Sequence, residues 1–244
     1  MRFPLCITSV AIVFASCHTV LRPVQTTATY YSVDHTLPAD SLIQQFIQPY
    51  HDSLARSLNN VIAVSSIEMP KGKPESLLGN FLADLLLEMA RKYNNDSTDI
   101  SILNYGGIRL PSLPAGPITT GMVYELMPFD NYLVVMRLKG KRIEQLFHTI
   151  AADGGWPVAG ASFVIKDGRA TQIFIQHEPL DTLREYTVAL SDYLADGGDN
   201  LLFLREENRK NLGIFIRDII IEYMHEQTLQ NKLLSATLDK RISQ

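Results

Sequence analysis

The chain has 244 residues, 46% hydrophobic and 20% charged, and its 22 Lys and Arg against 26 Asp and Glu leave a formal net charge of −4. A chain this apolar and this weakly charged can bury enough surface to offset its ordering entropy, which excludes intrinsic disorder. The acidic balance supplies no general field for a phosphate backbone, which argues against nucleic acid as the main partner, and the length suits one large domain or two small ones.

Residues 1–16 have the form of a secretory signal peptide. Arg2 precedes an apolar run from Leu5 to Phe14, shorter than the roughly 20 residues a membrane span takes, and the small residues Ala15 and Ser16 lead to Cys17. The small-small-Cys ending resembles the bacterial lipobox. That resemblance implies acylation of Cys17 and a lipid anchor at the cell envelope, either on the periplasmic side of the outer membrane or at the cell surface. The competing reading is a buried N-terminal helix with an incidental cysteine. Cleavage would remove Cys6 and leave Cys17 as the only cysteine, so the mature chain is expected to depend on its core rather than on a disulfide. Residues 17–37 read as a polar tether and residues 38–244 as one mixed α/β domain.

Leu42, Ile43, Phe46, Ile47, Tyr50, Leu54 and Leu58 recur at helical spacing and predict an amphipathic helix over 39–58, capped by Asp40 or Ser41. Val61 to Val64 read as a strand. A second helix starts at Glu75 and Ser76, and its nearly continuous run of Leu77, Leu78, Phe81, Leu82, Leu85, Leu86 and Met89 predicts burial on most sides. A short strand over 99–103 runs into Asn104, Tyr105, Gly106, Gly107, Ile108 and Arg109. A capped helical turn over 119–126 leads to Pro128, Phe129, Asp130 and Asn131, and a strand over 132–138 follows. Gly140 releases the chain into a helix over 141–152. Residues 161–175 read as a hairpin turning at Asp167 and Gly168. A strand over 186–190, a Gly197, Gly198, Asp199 loop and a closing helix over 212–227 complete the pattern.

Two glycine loops and two aromatics stand apart from this rhythm. Gly106 and Gly107 let backbone approach a ligand that a side chain would block, and Arg109 carries a permanent fork of donors suited to phosphate or carboxylate. The plainer reading is a tight turn with a solvated arginine. Asp199 at a loop tip can accept bonds from sugar hydroxyls, or the loop can be an ordinary turn. Phe129 and Tyr193 lie just beyond strand ends, where an aromatic face can stack on a planar base or pack into the core.

In order, these residues form a set: Gly79 and Asn80, then Asn104 to Arg109, Pro128 to Asn131, a strand, Gly140 and Lys141 opening a helix, then Gly197 to Asp199. The set resembles the C-terminal domain of the 5′-nucleotidase family, from about Glu75 to about Met224. The resemblance implies a mixed α/β fold of layered sheet and helices that binds the nucleoside part of a nucleotide. By that likeness Phe129 and Tyr193 hold the base, Asn104 and Asn131 bond near its edge or the ribose, and Asp199 accepts the ribose hydroxyls. Gly107 lines the wall and Arg109 faces the phosphate. The family usually carries Phe where Tyr193 stands, and arginines reaching the phosphate where Gly72 and Pro74 stand, which leaves Lys71 and Lys73 as the nearest cations.

The full-length family also carries an N-terminal metallophosphoesterase domain with two metals. Its Asp-x-His, Gly-Asn-His-Asp or Glu, and Gly-His-x-His motifs do not occur in this sequence. His18, His35, His51, His148, His177 and His225 are not spaced as ligands of one ion, and no Gly-x-Ser-x-Gly elbow is present. No catalytic residue, metal ligand or cofactor is therefore assigned to this chain, and divalent metals are expected only in a partner. Two functions follow. The chain is the nucleotide-binding half of a split hydrolase acting with a separate metallophosphoesterase in nucleotide catabolism, or it is a non-catalytic lipoprotein that captures nucleosides or nucleotides at the envelope. A third reading is a scaffold that has lost its ligand.

Overall fold

A computed structural model describes residues 27–34, 36–95 and 97–244. The expected signal peptide, Cys17, His18, His35 and most of the tether lie outside the described residues. The chain divides into a unit Met1–Phe46 and a unit Ile47–Gln244. In the first, the described residues are exposed, and Asp40 caps helix α1 (Ser41–Leu58) by accepting the N–H groups of Leu42 at 2.9 Å and Ile43 at 3.1 Å. No residue of α1 is buried. No described helix is long and apolar enough to cross a membrane.

In the second unit, β1 (Val61–Ser65) and β2 (Met69–Pro70) precede α2 (Leu77–Asn94), whose N-cap Ser76 accepts Gly79 N–H at 3.0 Å and whose C-cap Asn95 is left-handed. After β3 (Ile100–Ile102) come β4 (Ser112–Leu113), β5 (Gly116–Thr119) and α3 (Thr120–Leu126), capped by Thr119. Strand β6 (Tyr132–Lys139) runs directly into α4 (Gly140–Ala152). Then follow β7 (Val158–Ala159), β8 (Ala161–Lys166), β9 (Arg169–Ile175), β10 (Glu178–Pro179) and β11 (Glu185–Ser191). A single helical turn α5 (Asp192–Ala195), strand β12 (Arg209–Phe215), α6 (Ile216–Leu229) and β13 (Ile242–Ser243) complete the chain. The β8–β9 turn has Asp167 at φ 50° and Gly168 at φ 70°, the two positive values a two-residue hairpin turn requires.

A five-stranded sheet in the order β12-β6-β11-β3-β7 divides two apolar cores. In β6, Leu133 and Val135 point into the core formed with α2 and α6, whereas Val134, Met136 and Leu138 point into the core formed with α4 and the β8–β9 hairpin. Strand β11 splits likewise, with Ala189 on the first side and Val188 and Leu190 on the second. Burial on both faces explains why successive residues of these strands, Leu133 to Met136 and Val188 to Leu190, are apolar.

The closing helix differs from the sequence expectation. Its predicted first turn, from residue 212, is the end of β12, and the helix begins at Ile216. Gly213 sits at φ 74°, outside helical space, and Asn211 Oδ1 accepts its N–H at 2.8 Å. Tyr132 and Phe215, opposed in β6 and β12, bring their rings within 4.5 Å and hold the segment extended.

Phe147 of α4 is fully buried against Phe163 of β8, ring centroids 5.1 Å apart. Phe147→Ala is expected to lower the unfolding free energy by about 3–5 kcal/mol, measured by urea denaturation.

Candidate functional site

Strands β3 and β11 run parallel, with Ala189 opposite Ser101, and β6 runs antiparallel to β11, with Leu133 opposite Ser191. The chain therefore leaves β3 and β11 and enters β6 at one end of the sheet. The loop after β3 carries Asn104 to Arg109, the loop before β6 carries Phe129 to Asn131, and the segment after β11 carries Tyr193 and Asp199.

Together they line a cavity of about 340 Å³, walled by Asn104, Gly106, Gly107, Arg109, Phe129, Asn131, Tyr193 and Asp199. The structure thus brings together the residues named from the sequence, with Gly106 beside Gly107 in the wall. Phe129 and Tyr193 are 43% and 45% exposed, so neither ring is spent on core packing. A larger cavity, about 650 Å³, shares Asp199 and is lined by Gln145, His148, Thr149 and Ala152 of α4 and by Asp153 and Trp156 beyond it. It lacks the two open rings and the guanidinium.

Asp199 is the most constrained group in the smaller cavity. Its backbone is left-handed at φ 49°, ψ 44°, between Gly197 at φ 89° and Asn200 at φ 68°. Its Oδ2 accepts from Asn104 Nδ2 at 2.6 Å and its Oδ1 from the Tyr193 hydroxyl at 2.9 Å. Asn104 is only 8% exposed, so its amide is well fixed. The bond to Asp199 is the main reason the Tyr193 phenol lies above its ordinary pKa of 10.0, because a nearby carboxylate favours the neutral donor. The ring rests on Gly198, where a Cβ would come within 2.4 Å of Tyr193 Cε1. Gly198 is a requirement that the sequence reading left unassigned, and the adjacent glycine pair was its only signal.

Arg109 extends over Phe129, its Cζ 5.7 Å from the ring centroid, and donates weakly to Gly106 O at 3.3 Å. It forms no ion pair among the described residues, which leaves its fork available to an anion. The two lysines are engaged elsewhere. Lys71 Nζ donates to Ile108 O at 2.7 Å and Tyr105 O at 3.4 Å, bracing the glycine turn. Lys73 donates to the carboxylate of Asp153 at 2.6 Å and to its carbonyl oxygen. Neither is among the residues that wall the cavity.

Arg217, 8% exposed, holds the second loop by bonds to Asp130 Oδ1 at 2.6 Å and Pro128 O at 3.3 Å, with Cζ 4.3 Å from the Tyr124 ring centroid. Sequence reasoning gave Arg217 no role, because its partners lie nearly ninety positions away. Among the described residues, no group of three or more His, Cys, Asp and Glu side chains is arranged to hold a metal ion.

The model of the 5′-nucleotidase C-terminal domain matches residues 57–206, a span that contains every wall of the cavity. Protein UshA of Escherichia coli is 29% identical over 150 residues, covering 58% of this chain and 27% of UshA. The trifunctional nucleotide phosphoesterase YfkN of Bacillus subtilis is 32% identical over 187 residues, covering 70% of this chain and 12% of that protein. Among solved structures, a 5′-nucleotidase precursor from Thermus thermophilus superimposes with a TM-score of 0.71 at 30% identity, over 84% of this chain and 43% of that one. The chain thus spans less than half the length of each of these relatives. With the match extending over more than half of its residues, this chain belongs to the 5′-nucleotidase C-terminal domain family.

Proposed function

We propose that this chain is the nucleotide-binding half of a 5′-nucleotidase-type phosphohydrolase, and that hydrolysis requires a metallophosphoesterase carried on a separate chain. The observation that carries the reading is the composition of the 340 Å³ cavity: two exposed rings, a bonded carboxylate and an unpaired guanidinium on one set of loops. Flat base, hydroxylated sugar and anionic phosphate are the three chemistries such a wall complements. In this reading Phe129 and Tyr193 hold the base, Asn131 bonds its edge, Asp199 with Asn104 receives the sugar, and Gly106 and Gly107 admit it close to backbone. Arg109 leaves the Phe129 face to meet phosphate, a stronger charge-assisted partner than a ring.

Water activation is assigned to divalent metals on the partner. The residues of this chain bind and orient. Acylated Cys17 would keep the pair at the bacterial envelope, and a Cys17→Ser chain is then expected in the soluble rather than the membrane fraction on cell fractionation.

Removing either ring should weaken nucleotide binding. Phe129→Ala and Tyr193→Ala are each expected to cost about 1–3 kcal/mol of AMP affinity by calorimetric titration; affinity equal to the parent chain overturns the stacking assignment. Mixing the full chain with a metallophosphoesterase encoded beside it is expected to release phosphate from AMP faster than either protein alone. Binding without any gain in release identifies a non-catalytic binding module instead.

A further inference from the structure

Asp199 already has a protein donor on each oxygen before any ligand arrives: Tyr193 on Oδ1 and Asn104 on Oδ2. A carboxylate offers about four acceptor sites, so each oxygen retains roughly one for a ligand hydroxyl. In a site where the ligand is the only donor, an analogue lacking one hydroxyl strands a desolvated oxygen, and the site rejects it strongly. That penalty requires an oxygen left bare, and here neither becomes bare.

We propose that the Tyr193 hydroxyl, by holding Oδ1 of Asp199, relaxes the demand of the cavity for sugar hydroxyls, so that the chain accepts deoxyribose ligands nearly as well as ribose ones. The inference rests on the nucleotide reading and adds a substrate range to it. Three features keep the tyrosine in this role. Its ring is seated on Gly198, too close for any side chain at that position. Asp199 is aimed by the left-handed turn at 197–200. The phenol is a donor at neutral pH, since its ordinary pKa of 10.0 already keeps it protonated there and the bond to the carboxylate raises it further. Phenylalanine at 193 would keep the ring against Gly198 and leave Oδ1 with no donor but the ligand.

The test is calorimetric titration of the full chain and its Tyr193→Phe variant with adenosine, uridine and their 2′-deoxy and 3′-deoxy forms. For the parent chain, deoxy and ribo affinities are expected to agree within about threefold. In Tyr193→Phe the preference for ribose over one of the deoxy forms should grow by about threefold to tenfold, the worth of one hydrogen bond. Parent discrimination above tenfold, or ratios unchanged or reduced in the variant, overturns the inference while leaving nucleotide binding intact. Failure of the parent chain to bind either ribonucleoside overturns the nucleotide reading and this inference with it. A ligand-free measurement checks the bond itself. The alkaline absorbance difference between parent and Tyr193→Phe should place the Tyr193 ionisation above the ordinary phenol value, and Asp199→Asn should return it toward that value. A Tyr193 titration identical with and without Asp199 also overturns the inference.

Discussion

The antiparallel entry of β6 beside the parallel pair β3 and β11 is the constraint on which the rest of the molecule depends. Because β11 is paired to β6 along its whole length, from Glu185 opposite Lys139 to Ser191 opposite Leu133, a slip by one residue would exchange the contents of the two cores. Leu133 and Val135 would be turned toward α4, and Val134 and Met136 toward α2. The register that keeps both cores filled is the same register that delivers Phe129, Asn104 and Tyr193 to one end of the sheet. Packing and site are therefore set by a single choice of pairing.

Within the cavity, most of the walls are held by more than one bond. Asp199 is held from two sides, the Phe129 loop is tied to Arg217, and the glycine turn is closed by bonds from Gly107 N to Asn104 O at 3.1 Å and Ile108 N to Tyr105 O at 3.2 Å. Arg109 is the exception, with a ring contact and one long bond. Walls held in place before binding reduce the ordering cost that any ligand would impose.

Much of this was legible in the sequence, for identifiable reasons. The apolar run Leu133 to Met136 in β6 and the Asp167-Gly168 turn are local signals, and the walls of the cavity could be named because each sits in a short motif that keeps its order along the chain. What was illegible depended on distance or on single backbone angles. Leu212, Ile216, Ile219 and Ile220 fit a helical period, and only the positive φ of Gly213 shows that the first of them belongs to a strand. Lys71 and Lys73 read as spare cations, since their partners Ile108 and Asp153 lie 37 and 80 positions away. The Tyr193 bond to Asp199 forms across a turn in which Gly197, Asp199 and Asn200 all take left-handed angles.

The ammonium of Lys71 behind the glycine turn has a consequence for the opposite side of that turn. It draws the carbonyl oxygens of Tyr105 and Ile108 toward itself, and in a planar trans peptide the amide hydrogen points away from the carbonyl oxygen. The peptide joining Tyr105 to Gly106 is thereby oriented with its N–H directed away from the lysine, at a residue that walls the cavity. A half-buried cation that does not itself line the cavity thus fixes the direction of one peptide dipole in its wall.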